Sequence, residues 1–154
     1  MRIEATAAFL CLLAATAVGA DTSGEIPGDV TQLATGRAQF DGKWSDFRLV
    51  ITGYCSPEHC FSRGRIEWVD GSIPGTSTVV KTVSVEELES VLVVNSVEFH
   101  PMRGASEPAS FEVRAVNTYT GQGGVIALQI TGVGRYKANI VGDPLGPPPE
   151  GKSD

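Results

Sequence analysis

The chain is 154 residues long, 42% hydrophobic and 19% charged, with 18 glycines, 9 prolines and a formal net charge of −6. That length fits one domain, the apolar share excludes an intrinsically disordered chain, and no apolar run is long enough to span a membrane. Twelve basic against eighteen acidic residues exclude a general nucleic-acid binder, which needs a positive field to release counterions from phosphates.

Residues 1–20 carry the marks of a cleaved signal peptide. Arg2 supplies a short basic region, and Ala5 to Val18 form an apolar run interrupted by Thr6 and Thr16. Val18-Gly19-Ala20 then offer the small residues that a signal peptidase requires. The run falls short of the ~20 residues that cross a bilayer, and no basic stop-transfer cluster follows it. Cleavage after Ala20 places the protein in a periplasmic or extracellular space with no stable membrane span. Cleavage also removes Cys11 and leaves Cys55 and Cys60, an even pair for which an oxidising compartment predicts a disulfide. The intervening Ser56-Pro57-Glu58-His59 reads as a β-turn, with Pro57 presetting its second position. A structural hairpin clip is expected here, because a redox dithiol ordinarily has a shorter spacer.

Residues 21–32 mix Thr, Ser, Gly, Pro and Asp without periodicity and read as a flexible leader. A single domain is expected over 33–141, where period-two alternation dominates. Ala34, Gly36, Ala38 and Phe40 share one face of a first strand. Asp41-Gly42 signals a hairpin, and Phe47, Leu49 and Ile51 face one way on the return strand. Past the cysteine turn, Ile66 and Trp68 alternate with Arg65 and Glu67, and Asp70-Gly71 and Pro74-Gly75 punctuate a loop. Thr78 to Val85 is a β-branched run. Ser84 to Glu87 matches a capping box, which predicts at most one short helical turn from Val85 to Ser90. Val91, Val93, Val97 and Phe99 mark a further strand, and Phe111, Val113 and Ala115 the next. After a glycine-rich turn over 120–124 come Ile126, Leu128 and Ile130. Gly132-Val133-Gly134 turns or bulges the chain before Tyr136, Ala138 and Ile140. Residues 142–154 are rich in proline and glycine and read as a solvated tail with Leu145 as its apolar anchor. Seven or eight short strands without a long amphipathic helix predict an all-β antiparallel β-sandwich, with a small closed β-barrel as the alternative.

No pattern names an activity. His59 and His100 are the histidines, and no nucleophile elbow, phosphate-binding loop, zinc-protease pair or calcium loop accompanies them. The expectation is a non-enzymatic protein without a cofactor or a metal site. Consecutive antiparallel turns alternate between the two ends of a sheet, which puts the cysteine turn and the His100 loop at opposite ends. His59 and His100 then do not share a metal. The outward charges Arg37, Arg48, Arg65, Glu67, Glu112 and Arg114 are mixed in sign and read as a solvated face with edge protection.

Three fragments resemble known families. His100-Pro101-Met102 resembles half of the motif of periplasmic copper chaperones built on a cupredoxin-like sandwich. That resemblance implies Cu(I) held by His100 and Met102, a soft ligand pair. The family's upstream His and Met have no counterpart here. Gly42-Lys43-Trp44 resembles the Gly-x-Trp element of lipocalin-like carriers, which implies a barrel-type carrier of a small hydrophobic ligand. In that family the element lies on the first strand, whereas here a strand precedes it; otherwise Trp44 covers the open end of its hairpin. Gly121-Gln122-Gly123-Gly124 resembles one loop of chagasin-type cysteine-protease inhibitors, but their other two loops are missing.

The leading expectation is an exported β-sandwich that binds another macromolecule, a protein or a surface polymer, through its loops or a sheet face. The irregular loop from His100 to Pro108 is the expected contact region, with His100, Met102, Arg103 and Glu107 as binding residues.

Overall fold

Asp41 and Gly42 both take positive φ, 49° and 77°, the pairing that a two-residue hairpin turn needs to match the twist of its flanking strands. They join β1 (Val30–Phe40) to β2 (Lys43–Cys55). The cysteine turn leads to β3 (Cys60–Asp70), and β4 (Thr78–Val85) completes the first sheet in the order β1-β2-β3-β4. The second sheet follows the same plan, with β5 (Leu92–His100), β6 (Ser110–Asn117), β7 (Gly123–Gly132) and β8 (Arg135–Gly142) in the order β5-β6-β7-β8. All pairings are antiparallel. The computed structural model describes residues 29–71, 77–89, 91–104 and 107–144. The expected signal peptide (1–20), the leader as far as 28, the Pro74-Gly75 turn and the tail beyond Pro144, Leu145 included, lie outside the described residues.

Alternation sorts the side chains into an inner and an outer set. Phe47, Leu49, Ile51, Ile66 and Trp68 of the first sheet meet Phe111, Val113, Ile126, Leu128 and Ile130 of the second in one buried cluster. Phe47 packs edge-on against Phe111 and Phe99, with ring centroids 5.7 and 5.9 Å apart, a favourable aromatic geometry. The layers are also joined by a hydrogen bond of 3.0 Å, which the Val94 amide donates to Ser62 Oγ. Gly36 marks the closest approach of β1 to Phe99: a Cβ there would lie 2.4 Å from the Phe99 ring. Pairing runs within two separate ladders of four strands, so the described strands do not close into the single barrel offered as the alternative.

Several local expectations change. β1 begins at Val30, inside the stretch read as leader. The Asp29 carbonyl accepts a bond from Gly53, and the Gln32 side chain donates to Val94 across the sheets. The capping box does not form, because Ser84 still belongs to β4. The helical piece is a single 3-10 turn, Glu86–Leu88, without a side-chain cap. In β5 the buried positions before the bulge are Leu92 and Val94, not Val91 and Val93. A register shift between Val94 and Ser96 then returns Val97 and Phe99 to the core side. Tyr136 on β8 donates its hydroxyl to Glu87 (2.9 Å) and accepts the Glu86 amide (3.2 Å), tying the edge of the second sheet to that 3-10 turn. Burial, helped by the neighbouring Glu87 carboxylate, pushes the Tyr136 hydroxyl up to about 12.

Candidate binding surface

The outer face of the first sheet is built by two anchors. The turn at Asp41-Gly42 sets Arg37 opposite Asp46, and the disulfide between Cys55 and Cys60, themselves a cross-strand pair, sets Arg48 opposite Glu67 and Tyr54 opposite Phe61. Ser56 Oγ fastens the cysteine turn by accepting the amides of Glu58 and His59 at 3.3 and 3.2 Å.

These pairs interlock. Arg37 grips Asp46 through Nε and Nη2, the second bond being 2.8 Å. Arg48 and Arg65 each donate from Nε to a different oxygen of Glu67, both at 2.6 Å. Glu67 is only 6% exposed. Burial works to raise its carboxyl, but the bonds from Arg65 and Arg48 outweigh burial and hold it below the ordinary value. Toward the disulfide, Tyr54 stacks on Phe61 with centroids 5.5 Å apart, and the Arg63 guanidinium lies 4.8 Å from the Tyr54 centroid and 5.5 Å from that of Phe61. His59 continues the aromatic row. Its ring lies 5.2 Å from that of Tyr119 in the β6–β7 turn, whose hydroxyl approaches Nε2 at 3.3 Å.

Trp44 stands on the same face at the other end and is 65% exposed. It does not cover its hairpin, because its pairing position opposite Gln39 points it outward, away from Phe47. It borders two recesses. One, of about 470 Å³, is shared with Asp46, Val69 and Val80. The other, of about 580 Å³, is shared with Phe40, Val133 and Arg135.

The residues expected to bind from sequence lie elsewhere. His100 ends β5, and its Nε2 sits 3.7 Å from Glu112 Oε2 without a hydrogen-bond partner. Met102, Arg103 and Glu107 are exposed in the following loop, which the Arg103 amide closes onto the Glu107 carbonyl at 3.0 Å. Met102 is 40% exposed. Among the described residues no three His, Cys, Asp or Glu side chains gather as a metal would need, and no helix is long and apolar enough to cross a membrane.

The mixed charges expected to form one solvated face separate by sheet. Arg37, Arg48, Arg65 and Glu67 belong to the first, Glu112 and Arg114 to the second. Sequence reasoning passes over Tyr54, Phe61 and Arg63, although the first two sit symmetrically about the cysteines and all three can be found by counting outward from the disulfide. Compared with protein-family models, curated proteins and solved structures, the chain matches none.

Proposed function

We propose that this protein is an exported, non-enzymatic binding module that recognises an acidic protein surface through the outer face of its first sheet. One observation carries the reading. In a chain of net charge −6 that face gathers four of the eight arginines, Arg37, Arg48, Arg63 and Arg65, and, among the described residues, no lysine. Trp44, Tyr54 and Phe61 flank them. Arginine with tryptophan and tyrosine is the composition of interface hot spots, where lysine and the carboxylates are depleted. Arginine also keeps a planar fork of donors that lysine lacks. The face is held in place before any partner arrives, which lowers the ordering cost of association. Export is supported by the disulfide, which an oxidising compartment maintains, and by the signal-like first twenty residues.

Capture from the protein's own compartment tests the reading. Immobilised wild type is compared with Trp44→Ala and Arg63→Glu on the first sheet, and with Arg114→Glu and Lys137→Glu on the second. Specific partners are expected to disappear with the first pair and persist with the second. Persistence with the first pair overturns the assignment. A denatured mass of the recovered protein checks export separately: it should equal Asp21–Asp154 less two hydrogens.

A further inference from the structure

We infer that the recess beside Tyr54 is a subsite for a side-chain carboxylate, a Glu or Asp of the partner; the inference rests on the protein-binding reading and gives it a chemistry. The recess encloses about 390 Å³ and is lined by Thr52, Tyr54, Arg63, Arg65, Ser84 and Glu89, with Gly64 as floor. A Cβ on Gly64 would point inward, 2.6 Å from the buried Leu88, so Gly64 presents only backbone to the recess.

Its two arginines differ in what they have left to offer. Arg65 spends Nε on Glu67. Arg63 rests on Tyr54 and Phe61, and no carboxylate among the described residues lies within ion-pair distance of it. A guanidinium held against ring faces keeps its in-plane N–H donors free, and those donors match a carboxylate. The hydroxyls of Thr52 and Ser84 border the same space and add neutral donors.

Two features narrow the ligand. Capture of a chain-end carboxylate ordinarily uses free backbone amides, but Gly64 and Arg65 at the floor of the recess are paired on both sides, with β2 and with β4, and Arg63 is paired with Thr52 of β2. Side-chain donors on a paired strand fit a carboxylate carried on a side arm. Glu89, exposed at the rim, adds a negative charge that disfavours a second charge on the ligand. A singly charged carboxylate is therefore preferred to phosphate.

Side-chain NMR of the whole folded protein tests this, following the Arg63 and Arg65 Nε–H signals during titration. The probe is N-acetyl-glutamate N-methylamide. N-acetyl-glutamine N-methylamide lacks the charge, N-acetyl-alanine presents a chain-end carboxylate, and inorganic phosphate presents the second charge. The glutamate probe should give a saturable shift at Arg63 with a Kd of roughly millimolar order, as one exposed ion pair permits. Arg63→Lys should weaken it on the order of tenfold by removing the fork. Glu89→Gln should strengthen it and admit phosphate. Equal or non-saturating shifts with every anion, preference for N-acetyl-alanine, or an unchanged affinity in Arg63→Lys overturns the subsite. If the probe behaves as expected while Trp44→Ala and Arg63→Glu still capture every partner, the subsite stands and the sheet-face function falls. If capture is lost but the probe does not bind, the function stands and the subsite falls.

Discussion

Each sheet is a four-strand antiparallel meander with aromatic and branched side chains turned inward, yet their outer faces diverge. On the first, Arg48 and Arg65 converge on Glu67, and Arg63 lies across Tyr54 and Phe61. On the second, Ser96, Glu98, His100, Ser110, Glu112, Arg114, Ala127, Gln129, Lys137 and Asn139 are among the residues at the equivalent positions, and Glu98 stands directly opposite Glu112. Alternation dictates which side chains leave the core. It does not dictate that those leaving should interlock. The second face has the exposed pair Arg114–Glu112, but two arginines sharing one largely buried carboxylate is a property of the first sheet, and it separates experimentally.

The sharpest way to break the contrast is to remove its hub. Glu67→Ala leaves two guanidiniums without their shared carboxylate on a largely buried site. A loss of about 3 kcal/mol in urea denaturation is expected, as for other broken buried pairs. Gln129→Ala, on the outer face of the second sheet, should stay within about 0.5 kcal/mol. Equal losses would mean that the first face is no more organised than the second. Acid reports on the same hub. Because the folded carboxyl of Glu67 is held below its ordinary 4.5, its contribution is full above that pH and is lost as pH falls through the folded value. Asp46, lowered by its bond from Arg37 despite partial burial, acts in the same direction. Glu67→Gln should therefore flatten the acid limb of the stability curve.

The disulfide comes next. Replacing Cys55 and Cys60 by alanine should cost about 2 kcal/mol, the chain-entropy value for so short a loop. Amide exchange should accelerate around Tyr54 and Phe61 while β6 and β7 stay protected. Acceleration spread evenly over both sheets would show that the clip stabilises the whole molecule and not this face.

Much of the first sheet is legible in the sequence. The two-residue turn at Asp41-Gly42 makes Arg37 face Asp46, and the cysteine pair makes Arg48 face Glu67 and Thr52 face Arg63. Both hairpins have anchors whose geometry sets register. In the second sheet the two-residue turn Val133-Gly134 joins β7 to β8, but β5 meets β6 only across the long loop 101–109 and has no such fixed point. The sheet's register shifts between Val94 and Ser96 and again between Ile130 and Gly132, and an extra residue moves every later side chain to the other face. Counting back in twos from Phe99 and Val97 therefore selects Val93 and Val91, where the bulge has put Val94 and Leu92 in the core. The candidate site is less legible. His100 and Met102 draw notice as unusual residue types, whereas Arg63 gains meaning only through the two rings beneath it.

A double-mutant cycle sharpens the comparison at finer grain. Tyr54→Ala and Arg63→Ala should show a coupling of about 0.5–1 kcal/mol, the range of an exposed cation–π contact. A coupling near zero would mean that the rings do not hold the guanidinium, and would remove the support for its free donors.

The smallest expected effect lies on the second sheet and has the opposite sign. Glu98 and Glu112 are a cross-strand pair of like charge, an arrangement that destabilises a ladder. Arg114 offsets part of the repulsion, donating from Nη2 to Glu112 Oε1 at 2.6 Å. The net penalty is therefore small, and Glu98→Gln should stabilise the protein by roughly 0.2–0.5 kcal/mol in thermal denaturation at low salt. The gain should shrink as salt screens the pair. Neutralising a charge thus strengthens the outer face of the second sheet, whereas neutralising Glu67 weakens that of the first. A destabilised Glu98→Gln would mean that the second face, too, depends on its carboxylates for order.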